Sequence, residues 1–192
     1  MDDSELRAEL ERHHRESYGW ALGCCSRNPA EAESVLSSVY LKVLEGKARY
    51  DGRSSFRTWL FAVIRKTAAD ERRRNVLQWL RLNRLERSGA ADRSVENFDK
   101  SIYRSEIRLA FRRALAQTPK RQREVLQLVF YHDLSLAEAA QVMNVSLGSA
   151  RTHYERGKKQ LRRQMEGWQI HNETRIGRED DQRIVSATEA GR

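Results

Sequence analysis

Six residues, Ser149, Arg151, Thr152, Glu155, Arg156 and Lys159, recur at short helical spacings within SLGSARTHYERGKKQL. On a helix they share one polar surface. Arginine meets guanine edges and phosphates bidentately, and Ser or Thr hydroxyls reach either. Glu155 is an unusual neighbour for phosphate. A carboxylate can still accept from cytosine N4, so its expected effect is on sequence preference rather than affinity. A second constellation is Tyr50–Arg74, YDGRSSFRTWLFAVIRKTAADERRR. It sets an aromatic residue in a loop beside a helix rich in cations. That combination suits single-stranded DNA, whose unstacked bases are caught on aromatic faces while cations follow the backbone. Phe56 and Trp59 read better as core residues, which leaves Tyr50 as the base-contact candidate.

Catalytic chemistry is not indicated. The sequence has no carboxylate pair, nucleophile triad or glycine-rich phosphate loop, so no enzyme and no cofactor are expected. His13, His14, Cys24 and Cys25 are adjacent pairs about ten residues apart on one helix. They do not converge on a tetrahedral centre, so no metal is expected.

The first constellation needs a helix–turn–helix to position it, and Leu134–Leu161 has that layout. Ser135–Glu138 is S-x-x-E, a capping box that starts the first helix. Ala139 and Ala140 are small enough for two helices to approach closely. Asn144 falls at the turn, where a left-handed residue is wanted. Ser146 then caps a second, basic helix. A plain hairpin of a bundle is the competing reading, but a core hairpin has no use for this much positive charge.

The rest of the chain reads as helices. One covers about Asp3–Ser26, with Leu6, Leu10, Ser17 and Ala21 along one side. Asn28-Pro29 breaks it and starts a second, to about Glu45, with Val35, Leu36, Val39, Tyr40, Val43 and Leu44 inward. Lys47–Ser55 is a loop with an Asp51-Gly52 turn signal. A third helix starts near Ser54 or Ser55 and runs to about Asn75, with weaker helix propensity through Leu82. Its buried stripe is Phe56, Leu60, Val63, Ile64 and Thr67. Helix resumes from Ile102 with Ile107, Phe111 and Leu115. After Thr118-Pro119 comes another, with Val125, Leu126, Leu128 and Val129 inside. The fold class is therefore all-α: two small helical domains over 1–86 and 106–166, joined by a flexible linker over 87–105. A mobile tail is expected over 167–192, either dispensable or docked through Trp168 and Ile170.

Charge supports this division. The 192-residue chain carries a formal net charge of +9, which favours a polyanionic partner. Residues 1–52 are net negative. Residues 53–84 hold nine basic and two acidic side chains, and residues 151–163 six basic and one acidic. Two basic segments suggest two nucleic-acid contacts. No apolar run approaches the roughly 18 residues of a membrane span, so no membrane partner is expected. An acidic, polar start and an adjacent cysteine pair suggest a reducing, cytoplasmic setting.

The segments SSFRTWLFAVIRKTAAD and TPKRQREVLQL…LSLAEAAQVMNVSLGSAR, in this order and at this separation, resemble the bacterial extracytoplasmic-function (ECF) sigma factors of the sigma-70 family. The likeness spans about Glu11–Met165. It implies a non-catalytic protein that binds core RNA polymerase and grips promoter DNA at two points. The first domain would melt and read the minus-ten element, and the second would read the minus-thirty-five element as duplex. By this resemblance Tyr50, Arg53 and Lys66 sit where the family receives a flipped minus-ten base, with Arg72 and Arg73 beside them. The alternative is a stand-alone regulator that binds duplex DNA as a dimer through residues 106–165. Such a protein has no use for the Tyr50–Arg74 segment.

One stretch departs from the family. Its second helix usually reads close to D-A-E-D-L-V-Q-E-V-F, an acidic face that meets polymerase. Here Glu31 and Glu33 remain and Leu41 extends the face, but Ser34, Ser37 and Ser38 replace an acid, a glutamine and another acid. Three readings stay open. Other residues compensate for a drifted surface; a Ser/Thr protein kinase restores the charge, with Thr58 as a further acceptor; or a different partner binds there. Each phosphate would bring about −2 and three strong acceptors. Control by an anti-sigma factor is a separate possibility that the family resemblance raises.

Overall fold

The computed structural model describes residues 2–82 and 102–166, and among them there are helices and no strands. The helices are α1 (Asp3–Arg12), α2 (His14–Cys24), α3 (Pro29–Leu44), α4 (Phe56–Leu82), α5 (Ile102–Gln117), α6 (Lys120–Phe130), α7 (Leu136–Met143) and α8 (147–166). Local chemistry explains most boundaries. Asp2 and Glu5 form a capping box on α1. Asn28 accepts from the Glu31 amide, and Pro29 opens α3, as expected of a cap followed by proline. Gly46 ends α3 at φ 70°, a left-handed position that glycine adopts without a Cβ penalty. Ser55 Oγ accepts from the Thr58 amide at 3.2 Å and so caps α4.

Expectation and structure differ at His13. The first helix is two helices, with His13 closing α1 and opening α2. No Pro or Gly marks the break. Instead the His13 imidazole lies 3.5 Å from Glu9 and 3.7 Å from Glu16, and its ring stacks on Phe56 at 6.1 Å. Contacts to a distant residue, invisible in local sequence, accompany the bend.

The chain divides into two compact units. The first takes α1–α4 together with Glu124–His153; the second takes α5 with its continuation to Arg123, and the chain from Tyr154 on. The expected boundary after residue 86 therefore does not coincide with this partition, because most of α6, all of α7 and the start of α8 count with the first helices. Residues 83–101 and 167–192, which hold most of the expected linker and all of the tail, lie outside the described residues. At the end of that linker, α5 already begins at Ile102.

The core of the first unit is the α2–α3–α4 bundle. Trp20 and Phe61 are fully buried and stacked at 5.9 Å, and the Trp20 indole N–H donates to the Phe61 carbonyl at 3.0 Å. Val35, Val39, Leu60 and Ile64 fill the space around them. Lys42 Nζ donates to the buried Thr67 hydroxyl at 3.0 Å and ties α3 to α4. Val63 is only half-buried.

In the second unit Ala110 and Ala114 form the buried stripe of α5, while the expected core residue Phe111 is 42% exposed. Gln160 donates to the Gln117 carbonyl at 3.3 Å, and Arg123 donates to the Ala116 carbonyl at 3.2 Å.

Candidate nucleic-acid interface

The helix–turn–helix is built by its caps. Ser135 Oγ accepts from the Glu138 amide, and Glu138 accepts in return from the Ser135 amide at 2.9 Å. Those bonds, the side-chain bond from Ser135 first, hold the Glu138 carboxyl below the usual carboxylate range. Asn144 stands at φ 52°, ψ 54° and closes α7 in the left-handed region. Ala139, Ala140, Val142 and Met143 are buried beneath the turn. Ser146 Oγ accepts from the Ser149 amide at 3.1 Å and starts α8.

On α8, Ala150 and Gly157 are buried, whereas Ser149, Arg151, Thr152, Glu155, Arg156 and Lys159 are all exposed. Two of these are partly engaged within the helix. Thr152 Oγ1 donates to the Gly148 carbonyl at 3.0 Å. Glu155 pairs with Lys158 at 3.7 Å, and the Lys158 ammonium also lies 5.1 Å from the Tyr154 ring centroid. This neighbouring cation offsets the carboxylate that looked out of place beside phosphates.

The Tyr50 loop is braced rather than loose. Tyr50 is half-buried, its hydroxyl donates to the Ser54 carbonyl, and its ring meets Phe56 and Trp59 at 5.4 Å each. Arg53 is beside it and 89% exposed, held to Asp51 at 3.3 Å. Lys66 is exposed ten residues farther along α4, roughly 15 Å of helical rise beyond Phe56. The loop pair and Lys66 thus stand well apart along the helix.

The arginines that follow have other partners. Arg72 donates to the Cys24 carbonyl at the end of α2, where a cation also suits the helix dipole. Arg73 lies 3.8 Å from Asp70. Both are nonetheless exposed, so these contacts leave each guanidinium open to solvent.

On α3, Glu31, Glu33, Ser34, Ser37 and Leu41 are exposed and Ser38 is half-buried. Leu41 is 56% and Leu44 42% exposed, so this face mixes hydroxyls with an apolar end. Leu44, expected inside, stands at its rim. Thr58 is different: it is 1% exposed, and its hydroxyl is shared between Ser55 and Glu138. A kinase cannot reach it in this arrangement.

His14, one of the residues weighed as a metal ligand, instead faces the Tyr40 hydroxyl at 3.0 Å. Cys24 and Cys25 are buried free thiols. Burial first, then the nearby Glu31, pushes the Cys25 thiol up to about 11. Among the described residues, no helix is long and apolar enough to cross a membrane.

Sequence reasoning passed over Glu124 and His132, both buried. It also passed over Gly19 and Gly23, a small-x-x-x-small pair on α2 legible in GWALG. They enter the packing of Glu124–Glu138 against α2 and α4.

Residues 10–77 match the family profile "Sigma-70 region 2", and residues 108–161 match "Sigma-70, region 4". The chain is 28% identical to the ECF RNA polymerase sigma factor SigX of Bacillus subtilis over 184 residues, covering 92% of this chain and 93% of that one. It is 30% identical to the ECF RNA polymerase sigma factor SigF of Caulobacter vibrioides over 138 residues, 71% and 72% of the two chains. The fold is similar to that of the sigma factor RpoE in its complex with the anti-sigma factor NepR from Bartonella quintana. That likeness has a TM-score of 0.64 at 17% identity and covers 84% of this chain and 97% of that one. CnrH, solved with the cytosolic domain of CnrY, gives a TM-score of 0.59 at 17% identity over 86% and 90%. With region 2 and region 4 profiles in order, and relatives aligned through both, the chain belongs to the ECF RNA polymerase sigma factors of the sigma-70 family.

Proposed function

We propose that this sigma factor carries core RNA polymerase to promoters by a two-point grip, and that its engagement with polymerase is set at the α3 face. Arg151, Thr152, Glu155 and Arg156, with Ser149 and Lys159 at the ends, read the minus-thirty-five element as duplex. Tyr50 and Arg53 receive an unstacked minus-ten base, and Lys66 follows the strand. The observation that carries the reading is the exposure of all six polar positions on α8, on a chain whose region 2 also presents an aromatic loop with an exposed arginine. A stand-alone duplex regulator does not account for that loop, and family membership does not favour it.

The α3 face carries the regulatory part. Ser34 and Ser37 are exposed and Ser38 half-buried beside Leu41, which leaves hydroxyls open where the family resemblance places an acid, a glutamine and another acid. Phosphate on them would restore negative charge next to an apolar anchor. An anti-sigma partner is compatible with the same face, since relatives of this fold have been solved in such a complex. The setting we infer is cytoplasmic.

Run-off transcription with purified core polymerase tests the reading. A transcript should need the chain and both promoter elements. Treatment with a Ser/Thr kinase, or Ser34→Asp with Ser37→Asp, should raise it. No transcript in any form would refute the sigma activity. Equal transcript from the unmodified, the phosphorylated and the Ser34/Ser37/Ser38 triple-alanine proteins would refute kinase control alone.

A further inference from the structure

The last turns of α4 are unlike the rest of it. Leu60, Phe61, Ile64 and Ala68 are buried along the earlier turns. Past Glu71 the helix continues to Leu82, and every residue from Arg72 to Leu80 is exposed. Four of these are large and apolar: Val76, Leu77, Trp79 and Leu80 are each 47 to 55% exposed. No other five-residue stretch among the described residues exposes as many large apolar side chains.

These residues do not continue the core stripe. Seven residues on from Ala68 is Asn75, and fourteen on from Ile64 is Gln78. The side of α4 that packs in its first half is therefore polar in its last turns. At about 100° per residue, Val76, Leu77 and Leu80 share the opposite side, turned away from the α2–α3–α4 bundle, with Trp79 at its edge.

Cations flank the same side. Arg72 and Arg73 stand four residues before Val76 and Leu77, on the same side and one turn back. Arg74 follows at the border with the polar side, and all three are exposed. Arg72 donates to the Cys24 carbonyl, which anchors the basic turn to the end of α2. No acidic side chain occurs from Arg72 to Leu80.

This combination selects what covers it. Nucleic acid can take the arginines but has no use for Val76, Leu77 and Leu80, because bases stack on aromatic and guanidinium faces rather than on aliphatic ones. A helix that lies in a membrane interface uses both, with an apolar side inward and basic residues among the headgroups. Arginine stems run along apolar surface while the charged head stays in water, and Trp favours that boundary. A cluster of arginines without acids fits an anionic leaflet.

We propose that the Arg72–Leu80 turns of α4 form a membrane-surface contact, which lays the apolar side of the helix into the interface of an anionic leaflet. The contact is separate from promoter binding and does not depend on it. No described helix can cross a membrane, and the expectation of no membrane partner followed from the lack of a span. Interfacial binding needs none.

The experiment is co-sedimentation of the full chain with vesicles of phosphatidylglycerol and phosphatidylcholine in equal parts, beside vesicles of phosphatidylcholine alone. The chain should pellet with the first and stay in solution with the second, and added salt should release it. Leu77→Gln with Leu80→Gln should weaken binding to the anionic vesicles by about tenfold or more, since two aliphatic side chains no longer leave water. Glutamine keeps the helix propensity and both positions are exposed, so this variant should unfold at the same temperature as the parent chain. On anionic vesicles tryptophan emission should shift to the blue. Trp79→Phe should remove most of that shift although Trp20, Trp59 and Trp168 remain.

The proposal is overturned if the anionic vesicles do not bind the chain, or if the double glutamine variant binds them as well as the parent does. A blue shift that survives Trp79→Phe would assign the contact to another segment and overturn it too. So would a double variant that keeps its vesicle binding but loses single-stranded minus-ten DNA or core polymerase, since the apolar side would then belong to nucleic acid or to a protein partner.

Discussion

The two basic segments look alike in composition and are used differently. In residues 53–84, Arg57 faces Glu16 at 3.5 Å, Arg65 holds Glu124, Arg72 caps α2 and Arg73 meets Asp70. Arg53, Lys66 and Arg74 are exposed, and so are Arg72 and Arg73 beside their partners. In residues 151–163, Arg151, Arg156, Lys159, Arg162 and Arg163 are all exposed, and Lys158 is paired within its helix. The first segment ties several of its cations to other elements, and the second leaves its charge facing solvent. Net charge along a sequence therefore does not say how much of that charge is paired within the fold.

That difference can be attacked directly. The largest effect is expected at Arg65→Met, which removes the guanidinium that donates twice to the buried Glu124. Docking of Glu124–Glu138 should weaken by about 3 kcal/mol, the usual penalty for stranding one member of a buried pair. Hydrogen exchange across α7 reads it. Adding Glu124→Leu should recover most of the loss, because an apolar pair of similar volume needs no charge partner. An Arg65→Met protein that docks normally would place this arginine with the DNA contacts instead.

His132 comes next. Burial first, against the raising effect of Glu16 and the lowering effect of Arg57, pushes its pKa down to about 4, with Asp133 raising it slightly. A histidine whose folded pKa lies below its unfolded value contributes stability above the unfolded pKa. The undocked chain binds the extra proton, so docking should weaken as pH falls from about 6.5 toward 4, by up to about 3 kcal/mol. Amide exchange of α7 measured across that range reads the loss, and His132→Phe should flatten it. Glu138 makes the α7 cap acid-sensitive as well, since its carboxyl, lowered first by the Ser135 bonds, supports that cap at neutral pH and loses the contribution in acid.

On the other side of the comparison, Arg151→Ala or Arg156→Ala should leave thermal stability unchanged and reduce duplex affinity by about 1–3 kcal/mol for a lost base contact. If the lost contact is to phosphate, the salt dependence should become shallower by about one ion. The smallest effect is expected for Arg72→Ala. Loss of its bond to the Cys24 carbonyl should lower stability by about 1 kcal/mol, with little change in binding to single-stranded minus-ten DNA. A large binding defect at unchanged stability would return Arg72 to the DNA contacts.

Legibility followed the range of the interactions. The helix–turn–helix could be read nearly residue by residue because its caps are local. Ser135 with Glu138, Asn144 in the left-handed region and Ser146 before α8 each act over three residues or fewer. The outward set on α8 was legible for the same reason, since helical period alone separates Ala150 and Gly157 from Arg151 and Arg156. The α3 face was also readable, with Val35, Val39 and Val43 inward and Ser34 and Ser37 outward, although Leu44 turned out exposed. The break at His13 was not legible, because its partner Phe56 is 43 positions away. Phe111 was misplaced because hydrophobicity marked it as core, whereas the structure buries Ala110 and Ala114.

By itself the sequence determined the helices, their caps, the family and the two surfaces that face outward, since all of these depend on short-range periodicity and residue type. Only the tertiary structure decided which cations are spent internally and which stay free for a partner. It also decided that Thr58 lies buried against Glu138, and that Gly19, Trp20 and Phe61 receive His132. Apart from Arg73 with Asp70, those outcomes depend on pairs 41 to 113 residues apart. No local pattern encodes such a pair, because its energy exists only once packing has brought the two groups together and removed the water between them.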